Sequence, residues 1–363
     1  MPQTVEKAEV VMSEIGKLIS GTLGELFWAG KEALEEEERG MGNDWTLEER
    51  PKRHRGAYKP KLDDIPFELS RGKVETFIKC PKCFWMEKVA GVKPPSIPAF
   101  LINTNTDTLL KKDFDQYRGK EPHPIMVKAG LEHLIPFEHE DLEKWELSIH
   151  FGSTPNHFNS VHRDSNILFG GGLDDVWQNK ETGELHIVDY KSTAQMGANT
   201  KPLDETFLQV PKDSKYPDYK ASYRRQMDMY QWIMRRKGYR VSNTGYFLYV
   251  DGQHNGIDGM IDKNNPAIAW MKFNTAIIPY EGSDLWVDDA LIDIRAGLDE
   301  IKSLDKRNAA SLVGFNAPLD GEDDEGIRAF MQAHNVHAVD CEIGRFLKES
   351  WIKNCVGPLY KAP

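Results

Sequence analysis

The stretch 219–237, YKASYRRQMDMYQWIMRRK, spaces its apolar residues at helical intervals and stops at Gly238, which predicts a long amphipathic helix. Residues 167–177, 185–191 and 244–250 read instead as strands. NKETGE, between the first two, is turn chemistry, and its Gly183 is free to take a positive φ. SRGKVETFIKCPKCFWMEKV opens with Ser70, a good helix N-cap, and spaces Val74, Phe77 and Ile78 as a helix does. TDTLLKKDFDQYR and residues 284–304 are further helical stretches. Near the N-terminus, residues 5–38 set Val11, Ile15, Leu18, Leu26 and Ala29 near one face, although Gly16, Gly21 and Gly24 weaken the segment. The order helix, strands, helix, strand predicts an α/β (α+β) chain with a mixed sheet.

The texture also divides the chain. An N-terminal helical segment spans 1–48, and a basic, aperiodic stretch at 49–65, ERPKRHRGAYKPKLDD with its flanking residue, reads as a solvated linker. The main domain covers 66–304, and a C-terminal extension, 305–363, holds the acidic DGEDDEG. The formal net charge of −11 excludes a generally basic nucleic-acid coat, so contact with a polyanion needs a local basic patch or bridging metal ions. Nine Trp and sixteen Phe suffice for a sizeable core. Four cysteines are too few for a disulfide scaffold, the chain has no run of about 18 apolar residues, and its start lacks a signal-peptide pattern; a cytoplasmic protein without membrane contact is expected.

Candidate chemistry concentrates in GGLDDVWQNKETGELHIVDYKST, residues 171–193. A hairpin symmetric about Glu181 and Thr182 places Asp174 directly opposite Asp189, and facing like charges destabilise a sheet. Lys191 projects from the same face as Asp189, whereas Asp175 points to the other. Two carboxylates and a lysine on one face can hold Mg²⁺ or Mn²⁺, which take oxygen ligands. The plainer alternative is an exposed hairpin whose acids meet water and whose lysine makes an ordinary ion pair. His157 and His162 read as surface or substrate-side residues. Arg224, Arg225, Arg235 and Arg236 are either phosphate contacts or a solvated helix face.

These residues fall in a wider pattern. GGLDDVW followed by IVDYKST, then QMDMY on the next helix, after an early SRGKVETFIKCPKCFW, resembles the PD-(D/E)xK nuclease superfamily in its RecB-like and Cas4-like branch. The resemblance runs from residue 66 to about 250. It implies a restriction-endonuclease-like core, a mixed central β-sheet flanked by helices, and Mg²⁺- or Mn²⁺-dependent hydrolysis of DNA, with an exonuclease of repair, recombination or defence as the expected type. It assigns Asp174 and Asp189 to the metal, with Asp107 as a further ligand, Lys191 to the attacking water, and Gln226 and Tyr230 to positioning. Relatives often carry an iron–sulfur cluster on one early and three closely spaced late cysteines. Here Cys80 and Cys83 are early, but the late pair, Cys341 and Cys355, has thirteen residues between its members, so neither a cluster nor zinc is expected and free thiols are. A catalytically silent DNA-binding or assembly subunit of the same fold is the competing reading, and intact Asp174, Asp189 and Lys191 speak against it. A protein partner held through the N-terminal helix is a further possibility.

Overall fold

The computed structural model of the chain describes residues 53–79, 84, 87–88, 100–195, 201–209, 218 and 220–302. The N-terminal segment 1–48, the C-terminal extension and all four cysteines fall outside them. The described residues form a mixed α/β structure with two sheets. In chain order the elements are β1 (Phe67–Ser70), α1 (Arg71–Lys79), α2 (Leu101–Asp115), α3 (Pro124–Lys128), β2 (Leu134–Pro136), α4 (Leu142–Trp145), β3 (Asn159–His162), β4 (Ile167–Gly170), β5 (Asp175–Asn179), β6 (Leu185–Thr193), α5 (Ala221–Arg236), β7 (Thr244–Gly252), β8 (Phe273–Glu281) and α6 (Val287–Lys302). Among these, no helix is long and apolar enough to cross a membrane.

The larger sheet has the order β2-β5-β6-β7-β8 and is mixed: β6 and β7 run parallel, and its other pairs are antiparallel. Its centre follows from composition. The first six residues of β6 and nearly all of β7 are buried, as near-continuous apolar runs require, while β8 at the edge buries only Ile278. The connection between β6 and β7 carries α5, the crossover that parallel neighbours need. Helix α5 is more deeply placed than an amphipathic pattern predicts, since Gln226 through Met234 are all buried.

Pleating sorts the sheet's side chains onto two cores. Ile187, Phe247 and Tyr249 join the α5 side, with Met227, Tyr230 and Ile233. Val188, Tyr190, Leu248 and Trp177 join the other side, with Phe114 of α2 and Met126 of α3.

Two expectations change. The strand expected over 167–177 is two strands in different sheets: β4 pairs with β1 and β3, β5 pairs with β2 and β6, and residues 171–174 carry the chain between them. Periodicity cannot register such a switch, because β4 and the start of β5 are both buried and read as one continuous run. Residues 53–65, expected as solvated linker, are anchored at a few points, while Arg55, Lys59 and Lys61 stay exposed. The His54 ring is fully buried against Tyr58 and Phe67, Arg53 donates to both Glu68 carboxylate oxygens, and Asp63 takes both guanidinium nitrogens Nη1 and Nη2 of Arg295 at 2.7 Å. Arg53 and Asp63 read as part of a solvated run only until their partners, Glu68 and the distant Arg295, are in place.

On the α2 side, one carboxylate holds several elements together. Asp175, at the start of β5, is 1 % exposed. It accepts from Arg118 at 2.9 Å, from its neighbour Val176 N–H and Trp177 Nε1, and from the Tyr190 hydroxyl of β6 at 2.8 Å. Burial works against the Arg118 guanidinium, but Asp175 outweighs it and leaves its pKa raised. Removing one partner of such a buried pair strands the other charge. Asp175→Ala is therefore expected to lower unfolding free energy by about 3–5 kcal/mol, measured by urea denaturation.

Candidate active site

The register of the β5–β6 hairpin places the opening pair of acids. Asp175 pairs with Val188 and Val176 with Ile187, so the position before β5, Asp174, comes opposite Asp189. The turn forms as its residues dictate: Asn179 Oδ1 accepts from the N–H groups of Glu181 and Thr182, and Gly183 has φ of 73°. Asp174 is half-buried and its Oδ2 accepts from Tyr190 N–H at 2.8 Å. On the same side of β6, Asp189 is 1 % exposed. Its Oδ1 accepts from Gln226 Nε2 at 2.7 Å, and its Oδ2 is ion-paired with the Lys191 ammonium. Lys191 also lies 4.9 Å from the centre of the Tyr223 ring.

A cavity of about 400 Å³ opens here, lined by Asp107, Asp174, Lys191, Gln226 and Tyr230, together with Arg71, Asn103 and Tyr223. Five of the six residues expected from sequence thus line one space, and the sixth, Asp189, sits behind its wall, tied to Lys191 and Gln226. Asp107 lies in the interior of α2, with Lys111 at 3.9 Å. Gly171 is required by Tyr230, because a β-carbon at 171 would overlap the phenol ring. The glycine therefore belongs to the cavity wall.

The electrostatics express crowding of like charge. The Asp174 carboxyl is pushed up to about 7, first by burial and then by Asp189, against Lys191 and Lys111. Asp107 is raised by burial and then by Asp174. Burial opposes the Lys191 ammonium, but Asp189 and Asp174 outweigh it and leave its pKa raised. Oxygen donors that repel one another are what a hard dication relieves, and Mg²⁺ commonly takes one or two carboxylates plus substrate phosphate. The donor set of Asp107, Asp174 and Asp189 fits that chemistry. Among the described residues, no three His, Cys, Asp or Glu side chains stand ready-grouped as metal ligands, and Asp189 is turned onto Lys191 and Gln226.

Other expected contributors stand elsewhere. His162, expected at the surface, is buried between Ser165 Oγ at 2.8 Å and Asp288 at 3.2 Å. His157 is held by Thr154 at 2.7 Å. Arg224 pairs with Asp218, Arg225 with Glu75, and Arg235 with Asp284, while Arg236 lies over the Trp232 ring. The first three are part-exposed and committed to carboxylates within the protein, and none of them lines the cavity. Sequence reasoning missed Arg71, Asn103 and Tyr223 as wall residues. Tyr223 lies three residues before Gln226 on α5 and Asn103 four before Asp107 on α2, so helical spacing could have pointed to both, and the helix start to Arg71.

Two outcomes follow from this geometry. Gly171→Ala is expected to cost about 1–3 kcal/mol by overpacking against Tyr230, read from the urea midpoint. The folded Asp174 carboxyl also titrates above its unfolded value near 3.9. Folded protein then binds more protons than unfolded protein between that value and about 7, so stability falls as pH rises through this window. Urea unfolding in EDTA at pH 5 and pH 8 is expected to show that fall in the native chain and a smaller one in Asp174→Asn.

Comparison with protein-family models, curated proteins and solved structures finds no match to this chain.

Proposed function

We propose that this protein is a metal-dependent nuclease that hydrolyses DNA phosphodiester bonds, built on a restriction-endonuclease-like core. The observation that carries the reading is the convergence of Asp174, Lys191 and Gln226 on one cavity with Asp189 directly behind it, at the register that sets the two acids opposite each other. A solvated hairpin has no reason to bury Asp189, nor to aim a helix glutamine at it. Exonuclease action on DNA ends, in repair, recombination or defence, is the form that the sequence resemblance favours.

In this reading Asp174 and Asp189, with Asp107, hold Mg²⁺ or Mn²⁺. The ion supplies an activated water and neutralises charge on the scissile phosphate. The protein's own groups do the rest. Gln226 fixes the rotation of Asp189 through Oδ1, leaving Oδ2 for Lys191 or for the ion. The Lys191 ammonium, kept protonated by Asp189 and Asp174, orients water and faces the negative charge that develops on phosphorus-bound oxygen. Tyr230, seated against Gly171, keeps that side of the cavity rigid.

A catalytically silent DNA-binding subunit is the second reading, favoured by one observation: both Asp189 oxygens are already engaged within the protein. End-labelled linear and circular DNA, single- and double-stranded, incubated with Mg²⁺, Mn²⁺ or EDTA, separates the two. Cleavage with metal and none in EDTA is expected, with linear substrates preferred. Asp174→Asn and Lys191→Met are each expected to slow cleavage by about 10²-fold or more. Because Lys191 neutralises a buried acid, its loss is also expected to destabilise the fold, and Asp189→Asn in the same chain to restore stability without activity. DNA binding with no cleavage under any metal would establish the silent reading.

A further inference from the structure

Two cations reach the cavity from different elements. Lys191 comes from β6, and Arg71 is the first residue of α1. They stand near enough for the Arg71 charge to work against the Lys191 ammonium. Arg71 also lies beside Tyr230, where it opposes the effect of burial on the phenol. Their partners differ. Lys191 is neutralised by Asp189, whereas among the described residues no carboxylate pairs with Arg71. Arg53, Arg118, Arg224, Arg225, Arg235 and Arg295 each hold an acid within the protein, and Arg236, which does not, lies over the Trp232 ring and outside this cavity. On a chain of net charge −11, a guanidinium left without an acid and facing a cavity is matched to an anion from outside.

The chemistry narrows that anion. A guanidinium offers a planar fork of donors that fits two oxygens of one phosphate, which an ammonium cannot do. Asn103 on the same wall adds a neutral amide. The cavity, at about 400 Å³, lies in the size range of small-ligand sites and suits one nucleotide unit better than a polymer duplex. We propose that Arg71 is the phosphate-holding group of this cavity, gripping the non-bridging oxygens of a single-stranded DNA phosphate beside Lys191. The identification of that phosphate as part of DNA rests on the nuclease reading; the anion site itself does not. A phosphate placed there also relieves the repulsion between Arg71 and Lys191.

The test uses the full chain in EDTA, so that binding is read without cleavage. A fluorescein-labelled oligothymidylate is titrated by anisotropy at several salt concentrations, against native protein, Arg71→Gln and Arg71→Lys. Thermal unfolding of each variant is recorded alongside. Arg71→Gln is expected to weaken binding about tenfold or more. It is also expected to reduce the dependence of log affinity on log salt by about 0.7, the share of one single-strand phosphate contact. Arg71→Lys keeps the charge and loses the fork, so it is expected to bind with intermediate affinity and a native salt slope.

Inorganic phosphate and thymidine monophosphate, added as competitors, separate a site for any phosphate from one needing the polymer: competition by both at millimolar levels marks the former. Competition by neither, with the Arg71 effects intact, marks the latter, and both support the assignment. Native affinity in Arg71→Gln overturns it, as does weaker binding with an unchanged salt slope, or no binding by the native chain. Should Arg71→Gln unfold, Arg71→Lys decides: native affinity overturns the proposal and reduced affinity at native slope supports it. Cleavage measured in parallel with Mg²⁺ keeps the two readings apart. Cleavage by native protein with unaffected binding in Arg71→Gln sinks only the phosphate grip; Arg71-dependent binding without cleavage under any metal sinks only the nuclease.

Discussion

Two consecutive aspartates leave the chain on opposite faces of the same sheet, and the site depends on what each finds there. Asp175 meets Arg118, Trp177 and the Tyr190 hydroxyl and becomes a fully satisfied buried acid. Asp174 meets Asp189 and the cavity, with one backbone N–H for compensation. The first fixes β5 against β6 and the end of α2. Only because that anchor sets the register does the second stand opposite Asp189. A slip of one residue would exchange the two environments, putting the satisfied acid in the cavity and the crowded one in the core.

Much of this was legible beforehand because hairpin register obeys a simple rule. The turn residues NKETGE fixed the symmetry point, and period-two alternation did the rest for Asp174, Asp175, Asp189 and Lys191. Gln226 and Tyr230 share a face of α5 because they are four residues apart, and both do turn to the cavity. What could not be read is whatever depends on partners far along the chain. Arg225 looks like any exposed helix arginine until Glu75, on another helix, arrives at 2.6 Å. His162 looks like a surface group until Asp288 is brought beside it. The sheet switch after Gly170 was hidden for a related reason: a strand's pattern records which side is buried, not which neighbour it pairs with.

The two cores give the site its support. On one side Trp177, Val188, Tyr190, Leu248 and Phe114 pack the back of β5, β6 and β7. On the other, Met227, Tyr230 and Ile233 of α5 press against Ile187 and Phe247. Between them β6 is buried from Leu185 to Tyr190, Asp189 included, and its burial gives way at Lys191, which lines the cavity. Polar chemistry is concentrated at the strand end because only there can an ammonium and several carboxylates share a space that is both shaped and reachable by a charged ligand.

The crossover from β4 to β5 has a mechanical corollary. Strand pairing in the larger sheet begins at Asp175, so Asp174 belongs to neither ladder and is tethered by a single hydrogen bond from Tyr190. That bond comes from β6 itself, so it ties Asp174 to the strand that carries Asp189. The span leading to it is pinned as well: Gly171 N–H donates to the Phe158 carbonyl at 3.0 Å and Leu173 N–H to that of Trp145 at 2.8 Å. The gap between the two carboxylates is thus a preset jaw, with β6 as one half and a doubly fastened link as the other.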